Sequence, residues 1–348
     1  MIEFTTSSIE NIIGHRIGNK MQEEDLVLSE KEVPLYDDTL IDIFKTFFFK
    51  PFKDTAFYNF KHDGGLHLNQ TYVACEQIFN DQSNFLEESK KLAEFLFDSI
   101  DHPNINSGEF YMMYITDCKV QGEFTDAIGI FKSESKEYFL TLQETEHIEL
   151  DYELGMNLSK LDKGCLIFDL DKEEGYRLSI FDKTKGGVEV AQFWKNAFLN
   201  VKMREDTFFH TQNYMDVCKG FVEDVFNDEQ GVERTDQLQM LNRSMKFFEE
   251  NDEFSTPEFN DKVLEMPEIV DAFQGYKQEY QHKNDVNLFD EFQISDNAVK
   301  GQKKHFKSVL KLDKKFHVYV HGGHRDMEQG YDEERGKKFY KLYYDSES

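Results

Sequence analysis

Cysteine is scarce and scattered. Cys75, Cys118, Cys165 and Cys218 are the only four among 348 residues, and no two form a Cys-x-x-Cys pair. That spacing argues against a zinc ribbon or a disulfide framework. Apolar neighbours, as in Tyr72-Val73-Ala74-Cys75 and Gly164-Cys165-Leu166-Ile167, point to buried thiols in a reducing compartment. Long apolar runs are missing as well: no uncharged stretch approaches the roughly 20 residues of a membrane span. The opening residues Met1-Ile2-Glu3-Phe4-Thr5-Thr6 have neither the basic nor the apolar segment of a secretion signal. The expectation is a cytoplasmic protein with no membrane partner.

Catalytic signatures are absent too. The chain has no Gly-x-x-x-x-Gly-Lys phosphate loop, no Gly-x-Ser-x-Gly elbow and no local Cys/His pattern. It is therefore expected to be no enzyme and to hold no cofactor. Helix-turn-helix and zinc-finger spacings are lacking, which argues against sequence-specific DNA readout. There is no internal repeat and no long polar low-complexity tract. With 39% hydrophobic residues, including 34 Phe and 16 Tyr, the chain has bulky core material and is expected to fold.

What the sequence does have is a lopsided charge. The net charge is −28, yet Lys300 to Lys341 holds twelve Lys or Arg against six Asp or Glu, a local +6. With Asp345 and Glu347 beyond that block, residues 1–299 carry −32. Such a chain can bind a polyanion with one face and repel it with the rest. Lys303, Lys304, Lys307, Lys311, Lys314, Lys315 and Arg325 are the candidate phosphate contacts. Phe306, Phe316, Tyr319, Phe339, Tyr340, Tyr343 and Tyr344 are interleaved with them, the combination used by binders of exposed bases. Phe316 and Tyr319 are expected to support the module's core. The alternative is a solvated lysine face over an aromatic core. At physiological salt the Debye length is about 8 Å, so a distant acidic surface hardly weakens a local patch.

Three metal readings are open to test. His317, His321 and His324, with Asp326, flank Gly322-Gly323 and could surround an ion, though a bent hairpin loop explains the pattern more simply. The turn His62-Asp63-Gly64-Gly65-Leu66-His67 is read the same way. Asp126 followed by Glu134-Ser135-Lys136 has the letters of a metal-dependent nuclease. Its Glu-x-Lys falls in a polar turn, where such residues are usually only solvated.

The fold class expected is α+β. Residues 1–205 form a mixed lobe, 206–298 a helical region, and 299–348 a basic β-hairpin module. Helices are expected at Asp38 to Phe49, stopped by Pro51, and from about Asn84 to Ile100, with Asn84 and Glu87 as a capping pair. A short strand is expected at Asp25 to Ser29. Further strands follow at Gly108 to Val120, Phe124 to Phe131, Tyr138 to Leu142, Cys165 to Phe168 and Arg177 to Phe181, an antiparallel or mixed meander with the preceding helices on one face. Met215, Cys218, Val222 and Val225 form one helical stripe, and Leu238, Leu241, Met245 and Phe248 another. Thr256-Pro257 reads as a cap followed by a first-turn proline.

The order of short segments resembles the bacterial nucleoid-associated protein family of the NdpA type. The likeness runs from Ile12-Ile13-Gly14-His15 and Leu26-Val27-Leu28-Ser29 through Gly108-Glu109-Phe110 and Asp126-Ala127-Ile128-Gly129-Ile130-Phe131-Lys132. It continues in Lys163-Gly164-Cys165-Leu166-Ile167, Asp182, Ala191-Gln192-Phe193-Trp194 and Phe198-Leu199. Its most specific stretch is Leu312-Asp313-Lys314-Lys315-Phe316 followed by Gly336-Lys337-Lys338-Phe339-Tyr340-Lys341-Leu342-Tyr343-Tyr344. The resemblance implies a cytoplasmic, nucleoid-localised, non-enzymatic protein that associates with DNA and with DNA-topology enzymes such as a topoisomerase. The acidic body adds a second reading, an adaptor that recruits such an enzyme through its anionic surface. Homo-oligomerisation is left open.

Overall fold

A computed structural model of the protein describes residues 2–52, 56–144, 148–183, 193–227, 231–303, 306, 309–313, 315–319 and 327–346. They gather into two compact units, Met1–Arg204 and Glu205–Ser348.

The first unit is built on one sheet. In chain order it contains β1 (Ile2–Glu3), β2 (Ser8–Ile17), α1 (Asp38–Phe49), β3 (Phe57–Phe60), α2 (Gln70–Asn80) and α3 (Phe85–Asp98). Then come β4 (Gly108–Val120), β5 (Glu123–Ser133), β6 (Lys136–Glu144), β7 (Ile148–Met156), β8 (Lys163–Phe168), β9 (Arg177–Asp182) and β10 (Val201–Met203). Eight of these strands form the sheet in the order β1-β4-β5-β8-β9-β3-β10, with β2 also on β4, and every described pairing is antiparallel.

Alternation along the strands divides the core in two. Met112, Ile128, Ile130, Cys165 and Ile167 pack with Cys75, Ile78, Leu92 and Leu96 of α2 and α3. Their neighbours Met113, Ala127, Phe131, Leu166 and Phe168 pack with Phe47, Phe48 and Phe49 of α1. Helices therefore cover both faces, and the expectation of helices on one face is corrected. A sheet buried on both sides explains why β4, β5 and β8 read as nearly continuous apolar runs.

Local chemistry accounts for the helix ends. The Asp37 carboxylate accepts from the Thr39 and Leu40 amides and caps α1. Asn69 caps α2 by accepting from the Tyr72 amide at 3.0 Å, and its side-chain amide donates to the carbonyls of Lys61, Leu199 and Asn200. Asn84 does not cap α3. Its backbone is already helical, continuing the 3-10 turn Gln82–Asn84, and its side chain turns back to the Gln77 carbonyl. The expected strand at Asp25 to Ser29 shrinks to one bridge, Val27 with Arg16. All four cysteines are buried free thiols, and among the described residues no helix is long and apolar enough to cross a membrane.

The second unit opens with α4 (Thr207–Asp224) and α5 (Arg234–Glu250). It continues through β11 (Glu253–Ser255), α6 (Thr256–Phe259), α7 (Pro267–Asn284), β12 (Glu291–Gln293) and α8 (Asp296–Gln302). Its core joins Met215, Cys218 and Val222 of α4 to Leu241, Met245 and Phe248 of α5. Around them Phe254 stacks on Phe292 at 4.8 Å and on Phe248 at 5.7 Å. Ser255, one residue earlier than expected, occupies the cap position of α6, and the Thr256 hydroxyl instead reaches Asp290 at 2.9 Å. Two hairpins complete the unit: β13 (Val309–Leu312) with β14 (Phe316–Tyr319), and β15 (Met327–Asp332) with β16 (Lys337–Leu342).

Candidate nucleic-acid interface

The two hairpins are anchored by a small apolar contact. Leu312, Val318 and Tyr340 pack on the buried Leu238 of α5. In the first hairpin Leu312 faces Phe316 and Lys311 lies across from His317. Asp313 begins the connecting turn with φ of 53°, a left-handed conformation that aspartate tolerates better than most residues. In the second, Glu333-Glu334-Arg335-Gly336 makes the turn, and Gly336 takes the positive φ of 63° that this geometry needs.

Phe316 corrects an expectation. It shares a face with Leu312 and Val318 but lies at the hairpin end, where it is 62% exposed and so does not support the core. Tyr331 is equally exposed, and Tyr344 is 73% exposed. The exposed cations of this segment divide into two groups. Lys303 is bound to Glu249 at 2.7 Å, Lys341 lies 3.7 Å from Glu328, and Arg335 lies 3.7 Å from Asp332. Lys315, Lys337 and Lys338 form no ion pair among the described residues. Phe339 packs over Gly330, where an added Cβ would lie 2.6 Å from the ring, and Lys341 sits 5.6 Å above the same ring. Tyr343 donates to Glu328, which raises its hydroxyl pKa.

Of the seven cations chosen from sequence, Lys303 and Lys315 are described in full and Lys311 by its backbone. Lys304, Lys307, Lys314 and Arg325 lie outside the described residues, as do His321, His324 and Asp326. Lys337 and Lys338, both exposed, were not among the candidates, although the repeated Lys after Gly336 was visible in the sequence. Strand β15 was also missed, because Met-Glu-Gln-Gly-Tyr-Asp carries little apolar alternation.

The nuclease-like letters do not converge. Asp126 lies within β5 and Glu134 just past its end, eight residues or about 26 Å apart along an extended chain, so they cannot share an ion. Asp126 accepts from the Tyr114 hydroxyl at 2.8 Å, Glu134 pairs with Lys132 at 2.7 Å, and Lys136 pairs with Glu109 at 2.6 Å. At the His62 turn, Nδ1 of His62 accepts from the Gly64 amide. No three metal-ligating side chains come together among the described residues.

The sequence model of the nucleoid-associated protein YejK family matches residues 13–337, nearly the whole chain. The chain belongs to this nucleoid-associated protein family. No individual curated protein matches it. The family match extends over both units and into the second hairpin, ending at Lys337.

Proposed function

We propose that this family member is a non-catalytic protein of the cytoplasmic nucleoid that holds DNA weakly and without sequence preference through its C-terminal hairpins. The observation that carries this reading is the exposure of Phe316, Tyr331 and Tyr344 in the same C-terminal segment as Lys315, Lys337 and Lys338, which form no ion pair among the described residues. Exposed rings together with exposed ammonium groups are the pairing that single-strand binders use, and the same ammonium groups can meet the phosphates of a duplex. Lys304, Lys307, Lys311, Lys314 and Arg325 would add phosphate contacts; Lys303 contributes less while Glu249 holds it. A salt titration of the purified protein on duplex DNA tests the reading. Neutralising about four phosphates gives a slope of log affinity against log salt near −3.6. A flat slope, or no binding at low salt, would remove the proposal.

A second reading is favoured by the same ion pairs. Glu249, Glu328 and Asp332 neutralise part of the basic module, and residues 1–299 hold −32. An adaptor that docks a basic DNA-topology enzyme through this acidic surface would show no shift with DNA alone. It would retain that enzyme in a salt-sensitive complex.

A further inference from the structure

Strands β6 and β7 form a two-stranded sheet of their own, apart from the main sheet. Nine residue pairs join them, so the arm is about 30 Å long. Tyr138 opposes Leu154, Leu140 opposes Tyr152, and Leu142 opposes Leu150; cross-strand partners share a face, and these three pairs share one because they alternate. Ile148 extends the same face. Exposure of these seven side chains runs from 56% at Leu154 to 76% at Leu140, so no described part of the chain covers them. The rings of Tyr138 and Tyr152 meet edge-on at 5.5 Å, which orders one end of the surface in advance. The opposite face bears Glu137, Asp151 and Glu153. An apolar face this large is unusual on an isolated hairpin, which by itself is only marginally stable in water.

We infer that this arm is a dimerisation element whose apolar face packs against the same face of a second copy. Three observations select that occupant. Seven side chains at roughly 100 Å² each offer about 700 Å² per copy, close to the roughly 800 Å² per partner of a stable complex. A two-fold axis makes one patch complementary to itself, so a single apolar face suffices. Glu137, Glu149, Asp151 and Glu153 all lie on the far side, and the register places charged residues of the apolar face only at its two ends, Lys136 and Glu144, so the central strand pairs meet in the seam without like charges. The far-side carboxylates disfavour DNA or an anionic lipid surface as the cover.

Light scattering on the full-length chain across about 1 to 100 μM tests the arm. The expected mass is twice the 41.2 kDa of one chain. Leu140→Glu with Tyr152→Glu is expected to weaken association at least about 100-fold, leaving monomer throughout that range. Asp151→Lys on the far face is expected to leave the dimer intact. A wild-type monomer at the top of the range overturns the inference, and so does a dimer that survives the double substitution. Should the double variant fail to fold, replacing residues 136–156 with a short Gly-Ser turn gives the second test: monomer supports the inference and dimer overturns it.

Discussion

In the sheet unit Lys132, Lys163 and Arg177 are buried and each touches a carboxylate: Glu134 at 2.7 Å, Asp182 at 3.3 Å and Asp171 at 2.8 Å. In the C-terminal hairpins Lys315, Lys337 and Lys338 are exposed, with no ion pair among the described residues. The same kind of side chain thus serves two ends. A cation withdrawn from water must be compensated where it sits, because its desolvation costs several kcal/mol. Its charge is then spent within the fold and offers little field outside. An exposed cation without a partner costs the fold little and keeps its field for a polyanion. Net charge alone hides this, because it counts Lys132 and Lys338 alike.

The contrast is broken most forcefully at Lys132. Its ammonium is fully buried, donates to Glu134 and to the Asn106 carbonyl, and lies 5.8 Å from the Phe193 ring. Burial pushes its pKa down, against the pull of Glu134. Glu134→Ala leaves that charge without its carboxylate, and a loss of about 3–5 kcal/mol is expected in urea unfolding. DNA affinity of the folded fraction is expected to stay unchanged. Unfolding that matches the wild type would mean that the Asn106 carbonyl and the Phe193 ring suffice.

Next in size is a buried histidine of the same unit. His15 accepts from the Ser29 amide at Nδ1, and its Nε2 lies 3.1 Å from the Ser89 hydroxyl. Burial first, then Lys90, hold its pKa down at about 4, while Glu30 opposes them. The unfolded chain takes up this proton near pH 6.5, the folded one only near pH 4. Stability is therefore complete above pH 6.5 and falls as the pH drops toward 4. The loss approaches about 3 kcal/mol at most. His210 is also lowered by burial and acts in the same direction. Melting temperatures between pH 7 and 4 check this, and His15→Gln should flatten the profile.

Third come the exposed cations. Charge reversal at Lys315, Lys337 and Lys338 is expected to weaken DNA binding about 100-fold at physiological salt, since three phosphate contacts are lost. Stability should move by less than about 0.5 kcal/mol, as for most surface substitutions. Retained affinity would transfer the interface to another part of the chain.

This division of labour was only partly legible in the sequence. Helix α1 and strand β4 fall where their apolar spacing and the stop at Pro51 put them, because local periodicity is a backbone property. Helix α2 went unread: its defining contact is Asn69, whose amide bonds reach Leu199 and Asn200 some 130 residues away. The capping pair at Asn84 misled for the opposite reason, since a preceding 3-10 turn had already set its backbone. At the candidate interface the excess of lysine was plain. Which lysines are neutralised was not, because Glu249 lies 54 residues before Lys303. Exposure of Phe316 likewise depends on where the hairpin ends over α5.

The smallest effect is the sharpest test of the contrast. Glu249 binds Lys303 at 2.7 Å, and both side chains are exposed, 39% and 68%. Such a surface pair contributes about 0.2–1 kcal/mol, so Glu249→Ala should scarcely change unfolding. It removes a negative charge beside the basic module and frees Lys303 to meet a phosphate. Affinity for duplex DNA should rise about five-fold, and the salt slope should steepen by about 0.9, one contact's worth. Both expectations invert those for Glu134→Ala, where stability collapses and DNA binding is untouched. If Glu249→Ala leaves affinity and slope as they were, Lys303 lies off the DNA path, and the interface contracts to the cations of the two hairpins.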